Sequence, residues 1–183
     1  GISRRAFFGF LQKQEIFQEG SARPKPPKAA GQQVKRRGIV EIDLIEAKSR
    51  DLAPLGRTKD TYIYNMVDKL TSYMVCREIK TKLATKSAQV LASMLNEMEG
   101  ALGSKVTRLQ CDDGGEFKGA VLPMLAKRGI KKQVVPLASA VEGRNRFLQA
   151  KFYNLIKQKR GGTFAKLLEE ARQICNETKS RII

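Results

Sequence analysis

The chain has 183 residues, 42% of them apolar, which is enough for one ordinary domain with a buried core. Its 35 Lys and Arg outnumber 18 Asp and Glu to give a net charge of +17, a field that favours a polyanionic partner. Nucleic acid ranks ahead of an acidic membrane, because no apolar run approaches the roughly 20 residues needed to span a bilayer and the basic residues are dispersed. The sequence contains no histidine, which excludes imidazole acid–base chemistry and any Cys/His zinc site within it, so any metal must be held by oxygen. Cys76, Cys111 and Cys175 are odd in number, widely spaced and set in apolar contexts, and are expected to be reduced core thiols in a reducing compartment.

In chain order, "RRAFFGFLQKQEIFQE" spaces Phe7, Phe10, Leu11, Gln14 and Phe17 along one helical face, predicting a short docking helix within residues 1–20. The Arg and aromatic content of "GISRRAFFGFLQ" is that of a transit-peptide remnant and points to an organelle matrix such as the mitochondrion, although Glu15 and Glu19 follow closely. Residues 21–38, "SARPKPPKAAGQQVKRRG", hold prolines and bases but no acid, a composition that builds no core and predicts an extended basic arm. Its Arg23, Lys25, Lys28, Lys35, Arg36 and Arg37 are candidates for phosphate contacts.

The globular pattern begins at residue 39. "IVEIDLIEA" alternates Val40, Ile42 and Leu44 with Glu41 and Asp43, a strand signal, and "KSRDLAPLGRTKD" reads as a turn region. Further strands are predicted at "TYIYNMVD", "SYMVCREI", "VTRLQC" and "IKKQVV". Helices are predicted over "TKSAQVLASMLNEMEGAL", with Thr85 as its cap and Ala88, Leu91, Leu95 and Met98 inward, and over "FKGAVLPMLAKRG", ended by Gly129. The last two helices are "SAVEGRNRFLQAKFYNLIKQKR", with Val141, Leu148, Phe152 and Leu155 on one face, and "TFAKLLEEARQICNETKSRII". On the first of these, Arg144, Lys151, Lys157, Lys159 and Arg160 are further candidates for nucleic-acid contacts. The order of elements is that of an α/β layer sandwich over residues 39–183.

Within this basic chain the acids of "LQCDDGGEF" stand out, and Asp43 and Glu142 join them. Hard divalent ions that clamp the oxygens of a phosphodiester need carboxylates on rigid elements, and here Asp43 lies mid-strand, Asp112 at a strand end and Glu142 in the first turn of a helix. With their flanks, "VEIDLIEA", "RLQCDDGGEFKGAVLPMLAKRGI" and "SAVEGRNRFLQAKF" resemble the catalytic core of retroviral-type integrases, nearest to those of LTR retrotransposons and Polinton/Maverick elements. The end "CNETKSR" resembles the corresponding family segment as well. The resemblance implies an RNase H-like five-stranded mixed sheet flanked by helices. It also implies that Asp43, Asp112 and Glu142 are catalytic residues binding Mg²⁺, with Gly114, Glu116 and Phe117 completing the middle motif and Asn145, Arg146 and Leu148 the last.

The sequence also departs from the family pattern. Asp113 stands where Asn is usual, Gly143 where Arg is expected and Phe147 where Thr is expected. Asp112 and Glu142 are separated by 29 residues, fewer than the family's usual interval, with the shortfall in "KKQVVPLASAVE". Two functions follow. The one favoured by the shortened loop, the arm and the charge is an integrase-derived domain repurposed as a structural, RNA-binding subunit among the proteins of a ribonucleoprotein such as an organellar ribosome, needing no cofactor. The alternative, favoured by the retained acids, is an active DDE integrase or transposase that uses Mg²⁺ for DNA strand transfer.

Overall fold

The computed structural model describes residues 37–135, 139–158 and 162–178. The predicted docking helix, the arm up to Arg36, and Lys159 and Arg160 lie outside these residues. Five strands, β1 (Ile39–Ala47), β2 (Thr61–Asp68), β3 (Met74–Ile79), β4 (Arg108–Cys111) and β5 (Lys131–Val134), form one sheet in the order β3-β2-β1-β4-β5. β1, β2 and β3 pair antiparallel, whereas β4 runs parallel to β1 and β5 parallel to β4. This is the five-stranded mixed sheet flanked by helices that the resemblance implied.

A short turn joins the antiparallel strands β2 and β3, and parallel neighbours require crossovers. The β2–β3 turn is held by Asp68, whose Oδ2 accepts the amides of Leu70 at 3.2 Å and Thr71 at 2.7 Å. Ser72 in that turn adopts φ 61°, which explains why β3 begins at Met74 rather than at Ser72 as the apolar pattern predicts. The crossovers are α2 (Ala84–Leu102), and a 3₁₀ turn (Gly115–Phe117) followed by α3 (Val121–Lys127). After β5 come α4 (Ser139–Lys157) and α5 (Phe164–Glu177). The predicted turn region after β1 contains a single helical turn, α1 (Ser49–Leu52), and a 3₁₀ turn at Ala53–Leu55.

Helix boundaries differ from the sequence reading where local chemistry is decisive. Leu83, not Thr85, precedes α2, and no side chain caps it. Pro123 falls at the third position of α3, where its missing N–H is one the helix leaves unpaired anyway. Thr163 does cap α5, its side chain accepting the amide of Lys166 at 3.3 Å.

The sheet is covered on both faces. Val40, Ile42, Leu91, Leu95, Met98, Leu109 and Phe117 belong to the core under α2 and α3, and Ile45, Ala47, Val141, Leu148, Phe152, Leu167 and Ala171 to the core under α4 and α5. Glu41 and Asp43 share the second face with Ile45 and Ala47, because side chains alternate along a strand. The edge strand β3 is fastened to α5 by Asn176, which accepts the amide of Met74 at 2.9 Å and donates to its carbonyl at 3.0 Å. Arg172 reinforces this seam by donating to the same carbonyl at 3.2 Å while pairing with Glu169. All three cysteines are buried and free, as their apolar contexts predicted.

Candidate active site

Asp43 is half-buried in the middle of β1. The parallel register pairs Glu41 with Gln110, and its continuation by two residues brings Asp112 level with Asp43 on the neighbouring strand, a spacing of about 4.8 Å between strand axes. Asp112 is exposed, just beyond the last residue of β4, where the chain leaves the sheet. Glu142 is half-buried in the first turn of α4, the helix that crosses β1 and β2 on the face that carries Asp43.

The three acids share one electrostatic environment. Burial pushes the Asp43 carboxyl above its ordinary value, and the charges of Asp112 and Glu142 push it further in the same direction. Two hydrogen bonds oppose the rise: Asp43 Oδ1 accepts the Leu44 amide at 2.8 Å and Oδ2 accepts Asn145 Nδ2 at 2.7 Å. The sequence reading placed Asn145 in the last motif. The structure gives it a contact, since it descends from α4 onto Asp43, one helical turn after Glu142.

Helix α4 is held over the sheet by a residue that sequence reasoning passed over. Glu41 is 1% exposed, and its Oε2 accepts the amides of Ala140 at 2.9 Å and Val141 at 3.0 Å, satisfying two of the helix's first N–H groups. Its Oε1 pairs with Lys69 Nζ at 2.7 Å, and Lys69 donates onward to Gln110 Oε1 at 3.1 Å. The alternation of β1 marked Glu41 as a polar-face residue, but that face is roofed by α4, so its carboxylate is buried and paired. A glutamate two residues before Asp43 on one strand face was the available signal.

Gly114 governs the approach of two further oxygens. A Cβ there would lie 2.7 Å from Glu116 Oε2 and 3.0 Å from Asp112 Oδ1, so both carboxylates rest against the bare Cα. The Gly114 amide also donates to Asp112 Oδ1 at 3.1 Å. Asp113 points away to pair with Lys118 at 2.9 Å.

Hard carboxylate oxygens, and an Asp43 carboxyl raised first by burial and then by the charges of Asp112 and Glu142, suit a divalent cation, whose charge would relieve the repulsion. Among the described residues no three Cys, Asp or Glu side chains stand close enough to surround one ion. The fit therefore lies in donor chemistry and shared electrostatics.

The basic candidates divide. Arg144 donates to the Ser72 carbonyl through Nε at 3.1 Å and Nη2 at 2.6 Å, which fixes it to the β2–β3 turn. The Lys151 ammonium sits 5.3 Å from the Phe147 ring centre, so Phe147 supports a cation. Lys157 and Arg37 are exposed. Among the described residues no helix is long and apolar enough to cross a membrane.

No protein-family model matches the chain, and no curated protein does. Among solved structures, it is similar to a chain of the cryo-EM structure of the simian T-cell lymphotropic virus intasome in complex with PP2A regulatory subunit B56 gamma. The two share 15% identity at a TM-score of 0.65, over 98% of this chain and 63% of that one. At this identity the likeness is one of fold: the α/β sheet flanked by helices on which Asp43, Asp112 and Glu142 are displayed is a fold found in an intasome complex.

Proposed function

We propose that this domain is a nucleic-acid-processing core of integrase type, in which Asp43, Asp112 and Glu142 hold divalent metal for polynucleotidyl transfer on DNA. The observation that carries this reading is the placement of α4. Despite the shortened segment before it, Glu41 receives the helix's first amides and Asn145 reaches Asp43 at 2.7 Å, so Glu142 stays in electrostatic contact with Asp43. A helix carried only as packing needs neither contact.

In this reading Asp43 and Asp112 are the principal ligands and Glu142 closes on them from α4. Bound Mg²⁺ would activate the attacking oxygen and stabilise the leaving one. The protein's own contribution is positional. Asn145 and the Leu44 amide orient Asp43, Gly114 allows Asp112 and Glu116 to lie side by side, and Lys151 on Phe147, with Lys157 and the basic arm, supplies cations for the phosphate backbone.

The net charge of +17 supports a second reading, in which the domain is a structural RNA-binding subunit of a ribonucleoprotein that retains the site without using it. One experiment separates the two. Purified full-length protein is incubated with supercoiled plasmid in Mg²⁺ or Mn²⁺, beside Asp112→Asn. Metal-dependent nicking by the wild type, reduced at least about a hundredfold in the variant, supports the catalytic reading. Nicking that is absent, or equal in both proteins, overturns it in favour of the structural one.

A further inference from the structure

Asp43, Asn65 and Cys76 form one cross-strand row. The register pairs Asp43 with Asn65 between β1 and β2, and Asn65 with Cys76 between β2 and β3. Asn145 descends from α4 onto this row, and the four side chains make a continuous hydrogen-bonded chain. The Cys76 thiol donates to Asn65 Oδ1 at 3.3 Å, Asn65 Nδ2 donates to Asn145 Oδ1 at 2.6 Å, and Asn145 Nδ2 donates to Asp43 Oδ2 at 2.7 Å. Asn65 is fully buried, Cys76 is 4% exposed and Asn145 8%.

The direction of the chain is fixed from one end. An ionised carboxylate only accepts, so Asn145 must turn its NH₂ group to Asp43 and its carbonyl to Asn65. Asn65 must then present its own NH₂ to Asn145 and its carbonyl to the thiol. Burial forbids the chain from being completed by bulk water, so no member can turn without leaving a buried polar atom unpaired.

From this we infer that Asn65 is a positioning residue of the acid site: its NH₂ group holds the carbonyl end of the Asn145 amide, so that the other end stays on Asp43, while the Cys76 thiol satisfies the Asn65 carbonyl. The polarity of the chain keeps a donor on the Asp43 oxygen and holds the carboxylate in one rotamer between Asn145 and the Leu44 amide. Asn65 touches neither substrate nor metal. The inference rests on the proposed metal site for its consequence, but not for its geometry.

The position was visible in the sequence without its meaning. "TYIYNMVD" places one carboxamide in the middle of an interior strand, between the apolar-bodied Tyr64 and Met66, and a buried polar residue is more informative there than its neighbours. Both polar ends of the Asn65 side chain have protein partners, on the strand next to Asp43.

The test uses isotope-labelled full-length protein and two variants, Asn65→Asp, which offers only acceptors once ionised, and Asn65→Leu, which removes both polar ends at similar volume. In the wild type the Asn145 side-chain amide protons are expected to exchange with solvent at least tenfold more slowly than those of a free carboxamide. Either variant that folds should lose this protection, and Cys76→Ser, which keeps a donor at the end of the chain, should preserve it. Mn²⁺ affinity, read by electron paramagnetic resonance, should fall at least tenfold in the same Asn65 variants and stay within twofold in Cys76→Ser. If wild-type protein binds no Mn²⁺, the proposed metal site fails, while the amide exchange still decides the positioning role. Unchanged Asn145 protection in a folded Asn65→Leu or Asn65→Asp protein would overturn the inference.

Discussion

Glu41 and Lys69 form an ion pair at 2.7 Å, and the same carboxylate receives the first amides of the helix that carries Glu142. One buried side chain thus joins the central strand, the end of β2 and the start of α4. Replacing Glu41 by Ala leaves Lys69 with only the neutral Gln110 side chain to donate to and two helix amides unpaired. Removing one member of a buried pair costs about 3 kcal/mol, and urea unfolding of Glu41→Ala is expected to show a loss of that size. A loss below about 1 kcal/mol, the level of an exposed pair, would mean that solvent replaces the carboxylate.

The raised carboxyl of Asp43 has a pH signature. Burial first, then the charges of Asp112 and Glu142, lift it above the ordinary value of 3.8, so the folded chain holds this proton to higher pH than the unfolded chain does. Between the two values the unfolded state binds fewer protons, and stability falls as pH rises. Melting temperatures of wild type and Asp43→Asn should therefore separate progressively in the variant's favour from about pH 3.8 upward, and level off once the folded carboxyl has ionised. Saturating Mg²⁺ should narrow the gap by stabilising only the wild type. A pH-independent gap would contradict the assigned cause.

Gly114→Ala should separate geometry from stability. The added Cβ would lie 2.7 Å from Glu116 Oε2 and 3.0 Å from Asp112 Oδ1, and both are ends of side chains that can swing away. The melting temperature should change little, whereas plasmid nicking should fall at least tenfold, because the displaced group is a candidate ligand. Unaltered nicking would show that Asp112 tolerates a shift.

Asn176 offers a test of the seam between α5 and β3. Its carboxamide accepts the Met74 amide and donates to the Met74 carbonyl, so Asn176→Leu leaves that buried amide unpaired and the carbonyl with Arg172 alone. A buried unsatisfied group costs about 1–3 kcal/mol, and unfolding should report a loss within that range. No loss would mean that Arg172, which already donates to the Met74 carbonyl, is sufficient.

Much of this arrangement was legible in the sequence, and the failures have physical reasons. The five strands follow from apolar alternation and runs, and the inward faces of α2, α4 and α5 from helical spacing; Ala88, Leu91, Leu95 and Met98 are all buried, as are Val141, Leu148, Phe152 and Leu155. Strand ends were misread at Ser72 and Val106 because turn geometry and the entry of the chain into the sheet override local propensity. Asp43, Asp112 and Glu142 are candidates by motif resemblance, which carries no information about what supports them. Glu41, Asn65 and Lys69 were missed because their partners are distant in sequence: Asn65 meets Asn145 across 80 positions, and Glu41 meets Val141 across 100. Arg144 is a candidate nucleic-acid contact on its charge, and the Ser72 carbonyl that engages it could not be inferred from the helix pattern.

The basic residues of the arm have a thermodynamic signature of their own. If Arg23, Lys25, Lys28, Lys35, Arg36 and Arg37 all contact phosphates, changing them together to Gln should reduce the log–log salt slope of nucleic-acid binding by roughly 4 to 5. Filter binding across a salt series measures this directly. An unchanged slope would assign the electrostatic contacts to the globular domain.

The most direct test of the central claim is a crystal of the full-length protein soaked in Mn²⁺ and measured at a wavelength where manganese scatters anomalously. A difference peak between the carboxylates of Asp43 and Asp112, with Glu142 turned toward it and the Asn145 contact to Asp43 Oδ2 retained, is the predicted result. Manganese bound elsewhere on the protein at saturating concentration, with no peak at Asp43 or Asp112, would contradict it.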